Sequence, residues 1–275
     1  MQLEELIAQA KALPSIPKVV SEVLSELDKD EPDSRRISEL VATDPGLTAR
    51  MLKLANSAFF GLTREIGSVQ EAVSILGFNH VRTLVTAVAM SSSFKTVPGV
   101  NLEQFWRYSL NAAKICRTLG KSLRLNDGQA FTAGLVHAVG DLVMHIGMPE
   151  AMAKVDWNVA PLDLKRHEAE MATLGYTYAD VGAAFAVKWE FPDAIVKALK
   201  HQLVPFEGDT YEPMAGVVHM ASWRARAQEV DMDRDGLAAT FPDVVAVLLG
   251  LDLEMVLDKD PSEWTSAGEL SAFLG

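Results

Sequence analysis

The chain contains a single cysteine, Cys116, so it forms no intrachain disulfide and no thiolate zinc site. A reducing compartment, the cytoplasm, is the expectation. Its beginning, Met1-Gln2-Leu3-Glu4-Glu5, lacks the basic and apolar regions of a signal peptide. Apolar runs such as Leu84 to Met90 and Val244 to Leu251 are too short to cross a bilayer, and no membrane partner is expected. There is no phosphate-cradling glycine loop and no Gly-x-Ser-x-Gly elbow. Strand alternation is missing, aromatic residues make up only 7%, and basic residues are outnumbered 25 to 37. The resulting net charge of −12 argues against general nucleic-acid coating. With 275 residues, 49% of them hydrophobic, the chain is not disordered and suffices for one large domain, or one with a small appendage.

What is present is helical spacing. Val19, Val20, Val23, Leu24 and Leu27 recur at three and four, as do Ile37, Leu40 and Val41, and then Leu47, Met51, Leu52, Leu54 and Ala55. Turn residues punctuate these stretches at Pro14, Pro17, Asp30 to Asp33, Pro98-Gly99, Asn126-Asp127-Gly128 and Pro192. Asp44 before Pro45 reads as a helix cap with proline in the first turn, and Ser34, Asn101 and Thr177 are further cap candidates. The fold class is therefore all-α, with about twelve to fifteen helices. Residues 13–97 form a part built of short helices and residues 99–206 a part with longer ones; 207–275 is an acidic helical extension. Within that extension Met214, Val217, Val218, Met220 and Ala221 make an apolar face, Val244 to Leu251 should be buried, and Trp264 and Phe273 should anchor a last helix.

Charge is unevenly placed. The stretch from Pro45 to Arg124 holds ten cations and three anions, whereas residues 207–275 hold four cations and fourteen anions. Arg107, Lys114, Arg117, Lys121 and Arg124 fall on one broad helix face. A solvated face accounts for this, and a docking surface for an acidic signalling protein is the sharper alternative. Aromatics are not interleaved with these cations, which makes nucleic acid the less favoured partner. The acidic extension could mask the same face.

Several motifs occur in a recognisable order: Leu13-Pro14-Ser15-Ile16-Pro17, Asp44-Pro45-Gly46-Leu47, and Leu54-Ala55-Asn56-Ser57-Ala58-Phe59-Phe60-Gly61. They are followed by Phe105-Trp106-Arg107, Ala133-Gly134-Leu135-Val136-His137 and Trp189-Glu190-Phe191-Pro192. Over residues 13–206 the chain resembles the HDOD family, the HD-related output domain of bacterial signalling proteins. The resemblance implies a compact multi-helix fold, with a short-helix subdomain beside a degenerate HD-type bundle. It also implies a regulatory role exercised by binding other macromolecules. Physically, Asn56 and Ser57 can end a helix by bonding local backbone, while Phe59, Phe60 and Gly61 cover the exit.

HD phosphohydrolases, which the family resembles, bind metal through a separated His, a His-Asp pair and a later Asp. Here the pair reads His137-Ala138, and Ala138 ligates nothing. Tyr108 stands where the first His would be, Tyr178 replaces another, and His201-Gln202 replaces a His-His pair. A remnant pocket of Tyr108, His137, Ala138, Asp141 and His201, with no metal, no cofactor and no catalytic residue, is the expectation. His137, Asp141 and His145, spaced by four, would form a hydrogen-bonded or ion-paired column. The alternatives are a metal-dependent phosphohydrolase of nucleotides or cyclic dinucleotides, and a sensor that takes a nucleotide or other small ligand in the pocket. Cys116, His80 and His219 lie in helical patterns and read as packing or surface residues, and His167 beside Glu168 as a solvated pair.

Overall fold

A computed structural model of the protein describes residues 1–9, 14, 17–57, 62–207, 211–251, 256–257 and 264–274. Among them there is no strand. The helices are, in order, α1 (Leu3–Ala8), α2 (Lys18–Leu27), α3 (Ser34–Ala42), α4 (Pro45–Ala55) and α5 (Val69–Ser93). Next come α6 (Leu102–Ser122), α7 (Asp127–Val136), α8 (Val139–Gly147), α9 (Pro149–Asn158), α10 (Arg166–Leu174) and α11 (Tyr178–Lys188). Then follow α12 (Asp193–His201), α13 (Pro213–Glu229), α14 (Arg234–Thr240), α15 (Asp243–Leu249) and α16 (Ala267–Leu274).

These helices form two compact units that interleave along the chain. One comprises residues 1–13 and 96–264, the other 14–95 and 265–275. The division between residues 95 and 96 falls within two residues of the one expected at 97. The segment after residue 207 is shared between the units, α13 belonging to the first and α16 to the second.

In the second unit α2 and α3 bury the faces expected from their spacing, with Val23 and Ile37 fully enclosed. The cap of α3 is Asp33, which accepts from the backbone N–H groups of Arg35 and Arg36, so Ser34 is the first helical residue instead. Asp44 accepts from Leu47 N at 3.0 Å with Pro45 in the first turn. Asn56 ends α4 and clasps the loop that follows: its amide donates to Ile66 O at 2.9 Å and accepts from Ile66 N at 2.7 Å. Its role is thus to close a loop. The expected cover by Phe59, Phe60 and Gly61 lies outside the described residues, as do Leu13, Ser15 and Ile16. Helix α5 breaks at Gly77, where φ is +77°, a conformation costly for any residue with a Cβ. The chain's last helix, α16, packs on α4 and α5 with Leu270 and Phe273 buried, and Arg50 reaches the carbonyls of Phe273 and Leu274.

The first unit is organised around α6, whose neighbours α7 and α13 approach closely. Gly134 of α7 allows this, since a Cβ there would lie 2.7 Å from Ala113 Cα and from Cys116 Sγ. Cys116 is accordingly fully buried. Helices α8 and α11 cross at Gly140, where a Cβ would come within 2.0 Å of Tyr178 O and 2.6 Å of Gly182 N. Helix α13 buries Met214, Val217, Val218, Met220 and Ala221 as its pattern indicated. The stretch from Val244 departs from expectation: only Ala246 and Leu249 of α15 are buried, while Val244 and Val247 are 64% and 77% exposed. A seven-residue helix shows only a narrow stripe to its neighbours, so a uniformly apolar sequence leaves the rest outside.

Two segments, Val69–Ser93 and Asp127–Gly147, are apolar and long enough for a membrane span, contrary to the estimate from short apolar runs. Their most apolar windows are 56% and 89% buried within the fold. The second is also broken between α7 and α8 at His137-Ala138.

Candidate functional site

Within the first unit, α6, α8, α10, α11 and α13 surround a cavity of about 140 Å³. Tyr108, Ala138 and Asp141 line it, as the sequence indicated. Tyr178, Arg166, His145, Gln104 and Arg226 line it too. Among the lining residues is Arg226 of α13, only 7% exposed, which no sequence motif marks. Arg226 donates through Nε to Tyr108 Oη at 2.8 Å, through Nη2 to Tyr178 Oη at 3.0 Å, and through Nη1 to the carbonyl of Asp163 at 3.3 Å. Burial acts to lower its pKa, but Tyr108, Tyr178 and Glu170 outweigh that and raise it, so the guanidinium stays charged. Burial likewise pushes both phenols above their ordinary value, which keeps them protonated.

His137 and His201 do not line this cavity, and both expectations are corrected. His137 is fully buried behind it, edge-on to the Tyr108 ring with 4.8 Å between ring centroids. Its Nδ1 lies 2.7 Å from Gly134 O, which places the proton on that nitrogen. Desolvation lowers its pKa to about 3, so it is neutral. Its Nε2 has no hydrogen-bond partner. His201 ends α12 half-buried, and the inward residue is its neighbour Gln202, which donates to His137 O at 2.9 Å. Of the two positions in that pair, the uncharged amide is the one the core accepts.

The expected column of His137, Asp141 and His145 is broken. His137 caps α7, the backbone turns at Ala138, and only Asp141 and His145 share α8. These two are 3.5 Å apart, and His145 Nε2 lies 3.0 Å from Asp156. Arg166, almost wholly buried, ties the cluster together by bonding Asp141 at 3.1 Å and Asp156 at 2.8 Å. It also faces Glu170 at 3.2 Å. Glu170 in turn accepts from Tyr178 N at 2.8 Å. Burial first, then the Asp141 charge, pushes the Glu170 carboxyl up to about 7.

A divalent metal does not fit this arrangement. Among the described residues no three His, Cys, Asp or Glu side chains converge on one point. Two positions that would have to ligate are protonated phenols already bound to a fixed cation, and a third is Ala138. Like-charge repulsion from Arg226 would act directly on any metal placed between them.

On the surface the predicted basic face is reduced. Arg107 is held by Glu229, with Nε and Nη2 donating to the carboxylate at 2.9 and 2.7 Å. Arg117 turns inward, with its guanidinium 4.3 Å from the centre of the Phe131 ring. Arg124 lies past the end of α6 with φ +58°. Lys114 is half-buried, and Lys121 and Arg124 are exposed. The spacing was right, but the sequence did not show that Glu229 from the acidic segment would meet the first cation. Nor did it show that Phe131 would cover the third.

Comparison with known proteins agrees with this architecture. The HDOD domain family matches residues 13–205. A crystal structure from Shewanella amazonensis, provisionally named a phosphohydrolase, is 32% identical, covers 98% of each chain and superposes with a TM-score of 0.81. An HDOD domain protein of unknown function from Geobacter sulfurreducens is 23% identical over 88% of this chain and 94% of its own, with a TM-score of 0.67. An uncharacterized protein of Treponema pallidum is 23% identical over 218 residues, 78% of this chain but 42% of its own. The second curated match, YuxH of Bacillus subtilis, aligns over 24% of its length, so the chain spans less than half of the curated relatives it matches.

Proposed function

The chain belongs to the HDOD domain family, and on that premise we propose that it is a non-catalytic regulatory module of bacterial signalling that acts by binding other proteins. The observation that carries this reading is Arg226, a permanent cation bonded to Tyr108 and Tyr178 where metal chemistry would need anionic or neutral lone-pair donors. A buried guanidinium neither ionises a water at neutral pH nor gives up its proton as a general acid. His137 is neutral and enclosed, so it meets no substrate. Association with another solved chain, one from Marinobacter aquaeolei provisionally named a signal transduction protein, is by fold alone at 23% identity. The setting we propose is the cytoplasm.

The docking surface in this reading is the exposed part of the basic face, Lys121 and Arg124, with Lys114 beside them, and the partner is an acidic protein. Lys121→Glu with Arg124→Glu should weaken recovery of partners from the native host without changing the circular dichroism spectrum. An unchanged set of partners would refute the surface. The enzymatic reading is kept alive by the Shewanella chain's name. Protein purified without chelator or nickel should hold no stoichiometric Zn, Fe or Mn and should not turn over nucleotides or cyclic dinucleotides with added Mn²⁺. Turnover that disappears in His137→Ala would replace the proposal with a phosphohydrolase.

A further inference from the structure

We propose that the cavity at Arg226 is a binding site for a small organic oxyanion, a carboxylate or phosphate group on a compact body. Two buried arginines face this cavity, and they are balanced very differently. Arg166 has three carboxylates within 3.2 Å, those of Asp141, Asp156 and Glu170. Arg226 has none within bonding distance; its partners are two phenols and one backbone carbonyl. A guanidinium carries five N–H donors, and these bonds use three. One donor therefore remains on each terminal nitrogen of a residue 7% exposed that lines the cavity.

A buried cation with no carboxylate in contact is costly, and water in the cavity would satisfy the donors while leaving the nearest opposite charge, Glu170, out of bonding reach. A carboxylate or phosphate does both, with charge-assisted bonds that guanidinium geometry favours. Tyr108 and Tyr178 hold the arginine in place before any ligand arrives, so little is lost to ordering on binding. The rest of the lining suits the body of such a molecule. Asp141 has its second carboxylate oxygen available as an acceptor, Asn101 and Gln104 add polar groups, and Val100, Phe105 and Leu162 are apolar. At about 140 Å³, and open to solvent beside the exposed Gly99 and Asn101, the space suits a small acid with a hydroxyl or amino donor opposite its anionic end. The site stands whether or not the output is protein docking.

Isothermal titration of the full chain at fixed ionic strength tests this, with inorganic phosphate as one probe and glycolate, glycine and succinate as carboxylate probes. Saturable 1:1 binding of at least one probe is expected, and whether phosphate or a carboxylate binds identifies the head group. Arg226→Gln should weaken that binding by about tenfold or more, the loss associated with bonds to a charged partner. Because Arg226 is buried, a second variant leaves it in place. Gln104→Trp, at a half-buried position lining the cavity, should block binding with the fold unchanged. Absence of saturable binding by all four probes, or undiminished binding in Gln104→Trp, overturns the proposal.

Discussion

Replacing Glu170 by glutamine should alter how the stability of the protein depends on pH. The carboxyl is completely buried, between Arg166 and the N–H of Tyr178, with Asp141 and Arg226 also acting on it. Its folded-state pKa is about 7 against an ordinary 4.5. Between those values the folded protein holds a proton that the unfolded chain releases. The associated stability is therefore fully present below about 4.5 and lost as pH rises through 7. At roughly 1.4 kcal/mol per pH unit, the ionised carboxylate costs on the order of 3 kcal/mol above neutrality. Glutamine keeps an acceptor for Tyr178 N and carries no such proton. Urea unfolding at pH 5, 6, 7 and 8 should show the variant gaining about 2–3 kcal/mol on the wild type across that range. A constant difference between the two proteins from pH 5 to 8 would mean that Glu170 titrates as an ordinary surface acid, and the reasoning would fail.

His137 acts in the opposite sense. Its folded pKa is depressed to about 3, so its contribution is complete above 6.5 and lost as pH falls, and His137→Phe should shed about 2 kcal/mol less than wild type between pH 6.5 and 5. Gly140→Ala should be among the most damaging single substitutions, beyond the usual 1–3 kcal/mol of overpacking, because the added carbon meets backbone on α11 that cannot step aside. A drop in melting temperature smaller than that of a surface Gly→Ala control would contradict the crossing geometry. Asn56→Ala removes both bonds to Ile66 and should cost roughly 2 kcal/mol by denaturant titration, without affecting ligand titration in the first unit.

The helices were legible because their signals are local. The apolar spacing of α2 and α3, the Asp44-Pro45 cap and the Asn56-Ser57 terminus each lie within one turn or two, and each took the form expected. The identity of Ala138 and the two tyrosines was legible as well, through the family resemblance. Arg226 was not, since its meaning comes from phenols 118 and 48 residues away and nothing around it in α13 marks it as inward. The same applies to Glu229 on Arg107 and to Phe131 under Arg117. Spacing on one helix predicts which residues share a face, but not which other segment will cover it. The break at His137-Ala138 shows a related limit: a four-residue rhythm was read through a point where the backbone turns, which separated His137 from the two residues it was grouped with.

The order in which the two units claim the chain bears on how it is synthesised. Residues 14–95 leave the ribosome early, yet the helix that completes their unit, α16, emerges only after residues 96–264 of the other unit. At about 5–20 residues per second, this leaves an interval on the order of ten seconds or more in which α4 and α5 expose the surface meant for Leu270 and Phe273. The nascent protein therefore offers chaperones a defined apolar target. A premature stop just before Ala267 would leave that target open, and its damage would be felt upstream, in residues 14–95, rather than where the chain was cut.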